Sequence, residues 1–212
     1  MQAQYRAGSL FVIVAPSGAG KTSLVRALIM QRPTIQLSIS YTTRAPRPGE
    51  RHEVDYCFVS EAEFMRRQEA GEFLESAKVH GHYYATSKDW LDAQMSAGND
   101  VLLEIDYQGA QQVKAIFPLS VGIFIAPPSL QVLRERLIKR AQDSQEVIAQ
   151  RLAAATHEMA QVPNFEYVII NQDFASALGQ LLHIVDASSL RYGNQRARFP
   201  ELFQAWEANP AA

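Results

Sequence analysis

The sequence predicts an α/β fold with a mainly parallel sheet, and three observations carry the prediction. Four apolar runs, residues 10–15, 101–105, 121–126 and 167–170, are continuous rather than alternating, as strands covered on both faces are. Helical patterns lie between them, the alternation that builds parallel sheets. A glycine-rich loop joins the first run to the first helical pattern.

Each element has a local reason. Residues 22–31 put Leu24, Leu28 and Ile29 on one helical face and stop before Pro33, which cannot continue a helix. Residues 129–139 follow Pro127-Pro128, with Ser129 as N-cap and Leu130, Leu133 and Leu137 as an apolar stripe. Residues 146–160 and 175–184 read as two further helices. Two regions break the rhythm. Residues 38–87 are more polar and rich in Arg, Tyr and Glu, with 55–59 read as a strand and 61–69 as a helix, so they form an inserted small lobe. Residues 134–151 set Arg134, Arg136, Lys139, Arg140 and Arg151 around a polar stretch, 142–145, which reads as a lid. The expected division is a core of 1–37, 89–133 and 153–212, a lobe of 38–88 and a lid of 134–152.

Composition narrows the class. A chain of 212 residues suits one core, or a core carrying two small lobes. The net charge of −2 argues against bulk capture of nucleic acid or an anionic membrane. Cys57 is the single cysteine, so no internal disulfide forms, and a reducing, cytoplasmic setting fits. Its neighbours offer no base, and it reads as a small apolar side chain. The first apolar run is too short for a signal peptide or a membrane span. His80 and His82 flank Gly81 without a third ligand and read as surface rather than zinc. Arg191, Arg196 and Arg198 are offset by Glu201 and Glu207 and read as a solvated helix face or a contact in a homo-oligomer.

The loop Ala15-Pro16-Ser17-Gly18-Ala19-Gly20-Lys21-Thr22, with Ser23 behind it, follows a strand and opens a helix. That is the setting of a phosphate-binding loop: glycines let backbone N–H groups converge on phosphate, and the helix N-terminus adds partial positive charge. Lys21 is placed to reach the outer phosphates of a nucleotide, and the Thr22 hydroxyl to help hold magnesium. Ala15 stands where the strict motif has Gly, which requires a negative φ there. A GTPase, an ATPase motor and a small kinase all carry such a loop.

A second anion site is suggested by Arg44 and Arg47, three residues apart in a turn stiffened by Pro46 and Pro48, with Tyr56 and Tyr84 as phenolic donors. Taken singly, each residue also reads as solvated surface or packing.

Seven motifs in order then mark a resemblance: Ser17 to Lys21, Ser38 to Arg47, Asp55-Tyr56, Gly71 to Glu75, Tyr83 to Thr86, Leu103 to Gly109 and Phe124 to Pro128. The chain resembles the guanylate kinases of bacterial type over nearly its whole length. The resemblance implies a parallel-sheet P-loop kinase core with an inserted GMP-binding lobe and a helical lid. It also implies transfer of a phosphoryl group from ATP to GMP with Mg2+. Arg44, Arg47, Tyr56 and Tyr84 are implied to hold the GMP phosphate, and Ser40, Glu75 and Thr86 to read the guanine. Glu104 is implied to contact GMP and Asp106 to assist magnesium or the nucleotide; their alternation puts both on one strand face. Lys21, Arg44, Arg136, Arg140 and Arg151 form the implied catalytic set, and Asn171 and Asp173 border the adenine. Ala141 stands where the family commonly has Gly. Only small-molecule partners are implied. Two alternatives stay open: a nucleoside monophosphate kinase with another base, and a non-catalytic interaction domain of the same fold. The presence of Lys21, Thr22, Arg140 and Arg151 weighs against the second.

Overall fold

The computed structural model describes residues 7–79, 81–139 and 145–208. Two sheets organise it. In chain order the elements begin with β1 (Leu10–Val14), α1 (Lys21–Gln31), β2 (Gln36–Leu37), β3 (Tyr41–Thr42), β4 (Cys57–Phe58), α2 (Glu61–Glu69), β5 (Phe73–Val79) and β6 (His82–Ser87). They continue with α3 (Lys88–Ser96), β7 (Val101–Glu104), α4 (Tyr107–Ile116), β8 (Val121–Ala126), α5 (Leu130–Lys139) and α6 (Gln145–Met159). After a 3-10 turn at Val162–Asn164 come β9 (Tyr167–Ile170), α7 (Phe174–Ser189), α8 (Tyr192–Arg198) and α9 (Pro200–Ala208).

The large sheet has the order β2-β7-β1-β8-β9 and every pairing in it is parallel. Its central strand is apolar at all five positions because both faces are covered. Phe11 and Ile13 face α1 and α7, where Leu24, Leu28 and Leu181 are fully buried. Leu10, Val12 and Val14 face α3 and α4 through Leu91, Met95 and Val113. Burying a side chain of this size stabilises by roughly 1.5–3 kcal/mol, so the two faces fix the level of β1 in the molecule. The chain leaves β1 through α1 toward β2 and leaves the neighbouring β7 through α4 toward β8, in opposite directions, and that reversal opens the crevice at the C-terminal ends of these strands where α/β folds hold ligands.

Residues 41–87 form the second sheet, β4-β3-β6-β5, which is antiparallel except for β3 against β4. Phe64 of α2 is fully buried under it, against Phe73 and Tyr83. A third, separate apolar cluster joins α5 to α6 through Leu133, Leu137, Ile148 and Ala155.

Several expectations change. The strand expected over 55–59 shortens to Cys57–Phe58, with Tyr56 in an isolated bridge to His52, because Asp55 turns back to accept the Arg51 N–H. Cys57 is half-buried, and burial, followed by the nearby Glu53, pushes its thiol pKa up. Leu130 drops out of the α5 stripe at 46% exposed, while Leu133 and Leu137 are fully buried. Ser129 does cap that helix, accepting the Val132 N–H at 3.1 Å. The C-terminal arginines are not a free solvated face. Arg196 holds Glu207 with two hydrogen bonds, Arg198 donates to the Ala7 carbonyl and Arg191 to that of Leu119. Among the described residues no helix is long and apolar enough to cross a membrane. His80, Arg140 and Ala141 lie outside the described residues.

Candidate active site

The glycine-rich loop lies between β1 and α1. Gly18 and Gly20 have φ of 92° and 97°, values that favour glycine, whereas Ala15 is absent from the positive-φ residues, as the replacement of Gly requires. Space makes a second demand on both glycines. A Cβ at Gly18 would meet Leu137 at 2.9 Å, and one at Gly20 would meet the Asn171 amide nitrogen at 2.5 Å. That amide donates to the Ala19 carbonyl at 2.7 Å, so buried Asn171 braces the loop from the end of β9.

The loop's helix, like the short α8, lacks a side-chain cap. Side chains of Ser60, Ser87, Asp106, Ser129 and Asp173 cap α2, α3, α4, α5 and α7. No side chain caps α1, and its first turn carries no acid. Its first N–H groups therefore remain for an anion. Lys21 lays its ammonium on the Ile105 carbonyl at 2.8 Å, and Thr22 donates its hydroxyl to Glu104 at 2.5 Å. Cations approach from the helical pair α5 and α6: Arg151 reaches the Ser17 hydroxyl at 3.3 Å, and Arg136 the Asn171 carbonyl at 2.8 Å.

Across from the loop is a cleft lined by Lys21, Ser40, Tyr56, Glu75, Tyr84, Glu104 and Asp106. Arg44 is half-buried on its wall, its guanidinium gripped by both oxygens of Glu50 at 2.8 and 2.9 Å and lying 5.3 Å from the Tyr56 ring centre. Burial opposes its charge, but the Glu50 and Tyr84 hydrogen bonds hold the Arg44 pKa above its ordinary value. Burial, together with the Glu104 charge and Tyr84, pushes the Tyr56 phenol to about 12, so it stays a donor. Arg47 differs from Arg44: its backbone N–H binds Glu50 while its side chain lies in the exposed part of the turn.

At the base of the cleft Glu75 is 4% exposed and accepts the hydroxyl of fully buried Thr86 at 2.7 Å. Burial, and after it the charge of Asp106, raises the Glu75 pKa to about 7 although the Thr86 hydrogen bond pulls the other way. Ser40 is buried beside them. Gly109 leaves room for this carboxylate, since a Cβ there would collide with Oε2 of Glu75.

Asp106 does not share a strand face with Glu104. β7 stops at Glu104, and Asp106 is the N-cap of α4, accepting from Gly109 N at 2.9 Å and from the Gln108 amide at 3.0 Å. The alternation expected from the sequence fails because the strand ends one residue earlier. Asp173 is likewise a cap, accepting both the N–H and the hydroxyl of Ser176. The roles of Glu50, Gly109 and Glu158 escape the sequence reading. Glu50 has a signal as an acid in the same proline-stiffened turn as two arginines, and Gly109 as the last residue of the motif that begins at Leu103; Glu158 has none.

A loop of unpaired backbone N–H groups at the C-terminal end of the central strand, facing a cleft with a guanidinium beside it and a buried carboxyl–hydroxyl pair, is the architecture of a P-loop phosphotransferase. Comparison with known proteins agrees. Residues 7–188 match the guanylate kinase family model. The guanylate kinase of Ralstonia nicotianae is 58% identical over 92% of this chain and 89% of its own, and that of Dechloromonas aromatica 56% over 93% and 98%. The crystal structure of guanylate kinase from Anaplasma phagocytophilum superimposes with a TM-score of 0.76 at 30% identity, covering 92% of this chain and 97% of its own. The chain belongs to the guanylate kinase family.

Proposed function

We propose that the cleft between loop and small sheet is where this guanylate kinase transfers the γ-phosphoryl group of ATP to GMP, giving ADP and GDP. The buried Glu75–Thr86 pair carries the reading of the base. Guanine presents adjacent N1–H and N2–H₂ donors that one carboxylate accepts together, while its O6 needs a donor. The Thr86 hydroxyl, which rotates, turns from Glu75 to O6 as the base enters. Adenine lacks the donor pair and would leave a buried carboxylate unpaired, which is how such sites reject a wrong base. Ser40 completes the base pocket.

Arg44, Arg47, Tyr56 and Tyr84 take the GMP phosphate, with Glu50 holding Arg44 in its aim before the ligand arrives. The loop 15–23 cradles the ATP phosphates and Lys21 meets the outer ones. Residues 171–173 border the adenine, Asn171 through its brace on the loop and Asp173 at the start of α7. Thr22 holds magnesium; the hydroxyl–carboxylate pair it makes with Glu104 suits a cation that takes few protein oxygens and several from phosphate. Bound magnesium supplies neutralisation of the phosphate charge. Asp106 acts at one remove, through its cap of α4 and its field on the cleft.

The transfer needs no covalent nucleophile. Negative charge spreads over the moving group and the leaving oxygen, and Lys21, Arg136, Arg140 and Arg151 stabilise it. Residues 134–152 act as the lid that brings the arginines and excludes water, and residues 38–88 as the GMP lobe. A reducing, cytoplasmic setting fits the single, unreactive Cys57. A coupled assay with ATP and GMP, AMP, UMP or CMP in turn tests the reading: turnover with GMP far above the rest is expected. Preference for another base would remove the assignment of Glu75.

A further inference from the structure

Glu158, next to last in α6, has a carboxyl oxygen, Oε2, that is shut off from solvent and accepts no hydrogen bond among the described residues. Leaving such an oxygen unpaired is costly, and buried exceptions of this kind ask for a reason. The two charges acting on it are Lys21, which favours the ionised form, and Asp106, which opposes it. Neither is bonded to it. The Lys21 ammonium spends one of its three donors on the Ile105 carbonyl, and Asp106 is taken up by Gly109 and Gln108.

The helix supplies the rest of the geometry. Arg151 and Glu158 are seven residues apart, two turns on nearly one face, about 10 Å along α6. Arg151 reaches Ser17 near the start of the loop. At the other end of this stretch the His157 ring packs 5.7 Å from that of Tyr107, two residues from the Ile105 carbonyl on which Lys21 rests. α6 therefore lies along the phosphate loop with a cation at one end and an unsatisfied carboxyl oxygen at the other.

We propose that Glu158 is a positioning residue for Lys21, its free oxygen accepting one of the ammonium's remaining hydrogens in the ATP-loaded enzyme and so fixing the cation's aim at the outer phosphates. The aim of Lys21 is thereby tied to the seat of α6, the helix that brings Arg151. This rests on the role given to Lys21 above. A merely structural Glu158 would affect melting and leave the direction of Lys21 untouched.

The test uses the full chain in four variants, Glu158→Gln, Glu158→Asp, Lys21→Ala and Lys21→Ala/Glu158→Gln. Steady-state rates, melting curves and binding of a non-hydrolysable ATP analogue are measured for each. Glu158→Gln is expected to lower kcat about tenfold with the GMP KM within about twofold, and Glu158→Asp to recover about half of the lost rate. Glu158→Gln should weaken the analogue about threefold in the wild-type background and not at all in Lys21→Ala, because the two residues act as one unit. Glu158→Leu, which buries no new polar group, carries the same kinetic test if the Gln variant does not fold. Full turnover in a folded Gln or Leu variant overturns the proposal, as does an equal loss of affinity in both backgrounds. Lys21→Ala with undiminished turnover would overturn the reading of the loop itself, so the two failures are distinguishable.

Discussion

The glycine-rich loop and the cleft opposite it, the two anion sites proposed for this chain, are built from different material. The loop is made of backbone: two glycines with positive φ, an uncapped helix N-terminus and the Asn171 brace on the Ala19 carbonyl. The cleft is made of side chains, and its acids are as informative as its bases. Glu50 is held below the usual carboxylate range because, against its burial, the Arg44 and Arg47 hydrogen bonds favour its charge. Glu75 is pushed to about 7 because burial dominates. One acid thus pairs with a cation, and the other, with a raised pKa, is the one proposed to meet the donors of a base. A polyphosphate common to all nucleoside triphosphates can be met by a generic backbone cradle. Telling one purine from another takes buried side chains whose pairing is incomplete without the ligand.

Experiments can break that contrast. The largest effect is expected at Lys21: Lys21→Ala should lower turnover on the order of 10²–10³-fold, as loss of a preorganised charge at the transferred group does. GMP binding measured by calorimetry should change little, because the acceptor cleft keeps its clamp. Arg44→Ala should do the reverse, raising the GMP KM by roughly 10–100-fold, the worth of a charge-assisted phosphate contact. The KM for ATP should stay within about threefold in the same assay. Equal effects on both substrates would merge the two sites into one.

Gly109→Ala probes the cleft without removing a polar group. Its Cβ would strike Glu75. A melting curve should show a loss of about 1–3 kcal/mol, the cost of overpacking, and GMP binding should weaken by about tenfold while ATP binding holds.

The smallest effect concerns pH. Glu75 has a folded pKa of about 7 against an ordinary 4.5, so the empty protein binds a proton there more tightly than the unfolded chain. Its contribution to stability is full below 4.5 and is lost as pH rises through about 7; Glu158, also raised to about 7 by burial, adds in the same direction. GMP reverses the preference, because guanine donors need the ionised form. GMP affinity should rise about tenfold between pH 6 and pH 8 relative to Glu75→Gln, a reference that removes the titration of the phosphate itself.

What the sequence discloses follows the same division. Strands β8 and β9 and helix α2 match the expected bounds to the residue, since apolar runs and a Ser cap are local signals. Helices α3 and α4 carried too little apolar periodicity to be expected: α4 has Gly109 and three glutamines, and only Ala110 and Val113 bury apolar side chains in it. Strand β2 is two residues long and exists because β7 pairs with it. The backbone loop was legible because spacing and flanking elements suffice to define it. Arg44 and Tyr56 are suggested by a stiff turn and nearby phenols, whereas Glu75 and Thr86 are legible only as part of an ordered set of motifs. Gly109 is legible only as the end of a motif, and Glu158 not at all, because their meaning depends on which distant side chain they meet. Asp106 was misread as a strand residue because nothing local announces that β7 stops at Glu104.

The central claim is that Glu75 reads the donor edge of guanine, and the most direct measurement compares GMP with IMP, which lacks the N2 amino group. Calorimetric affinities are taken with the wild-type chain and with Glu75→Gln. In the wild type GMP should bind about 10–100-fold more tightly than IMP, the value of one hydrogen-bond donor to a buried charge, and in Glu75→Gln that preference should fall to about threefold or less. An undiminished preference in Glu75→Gln would contradict the claim and place the reading of the base elsewhere in the cleft.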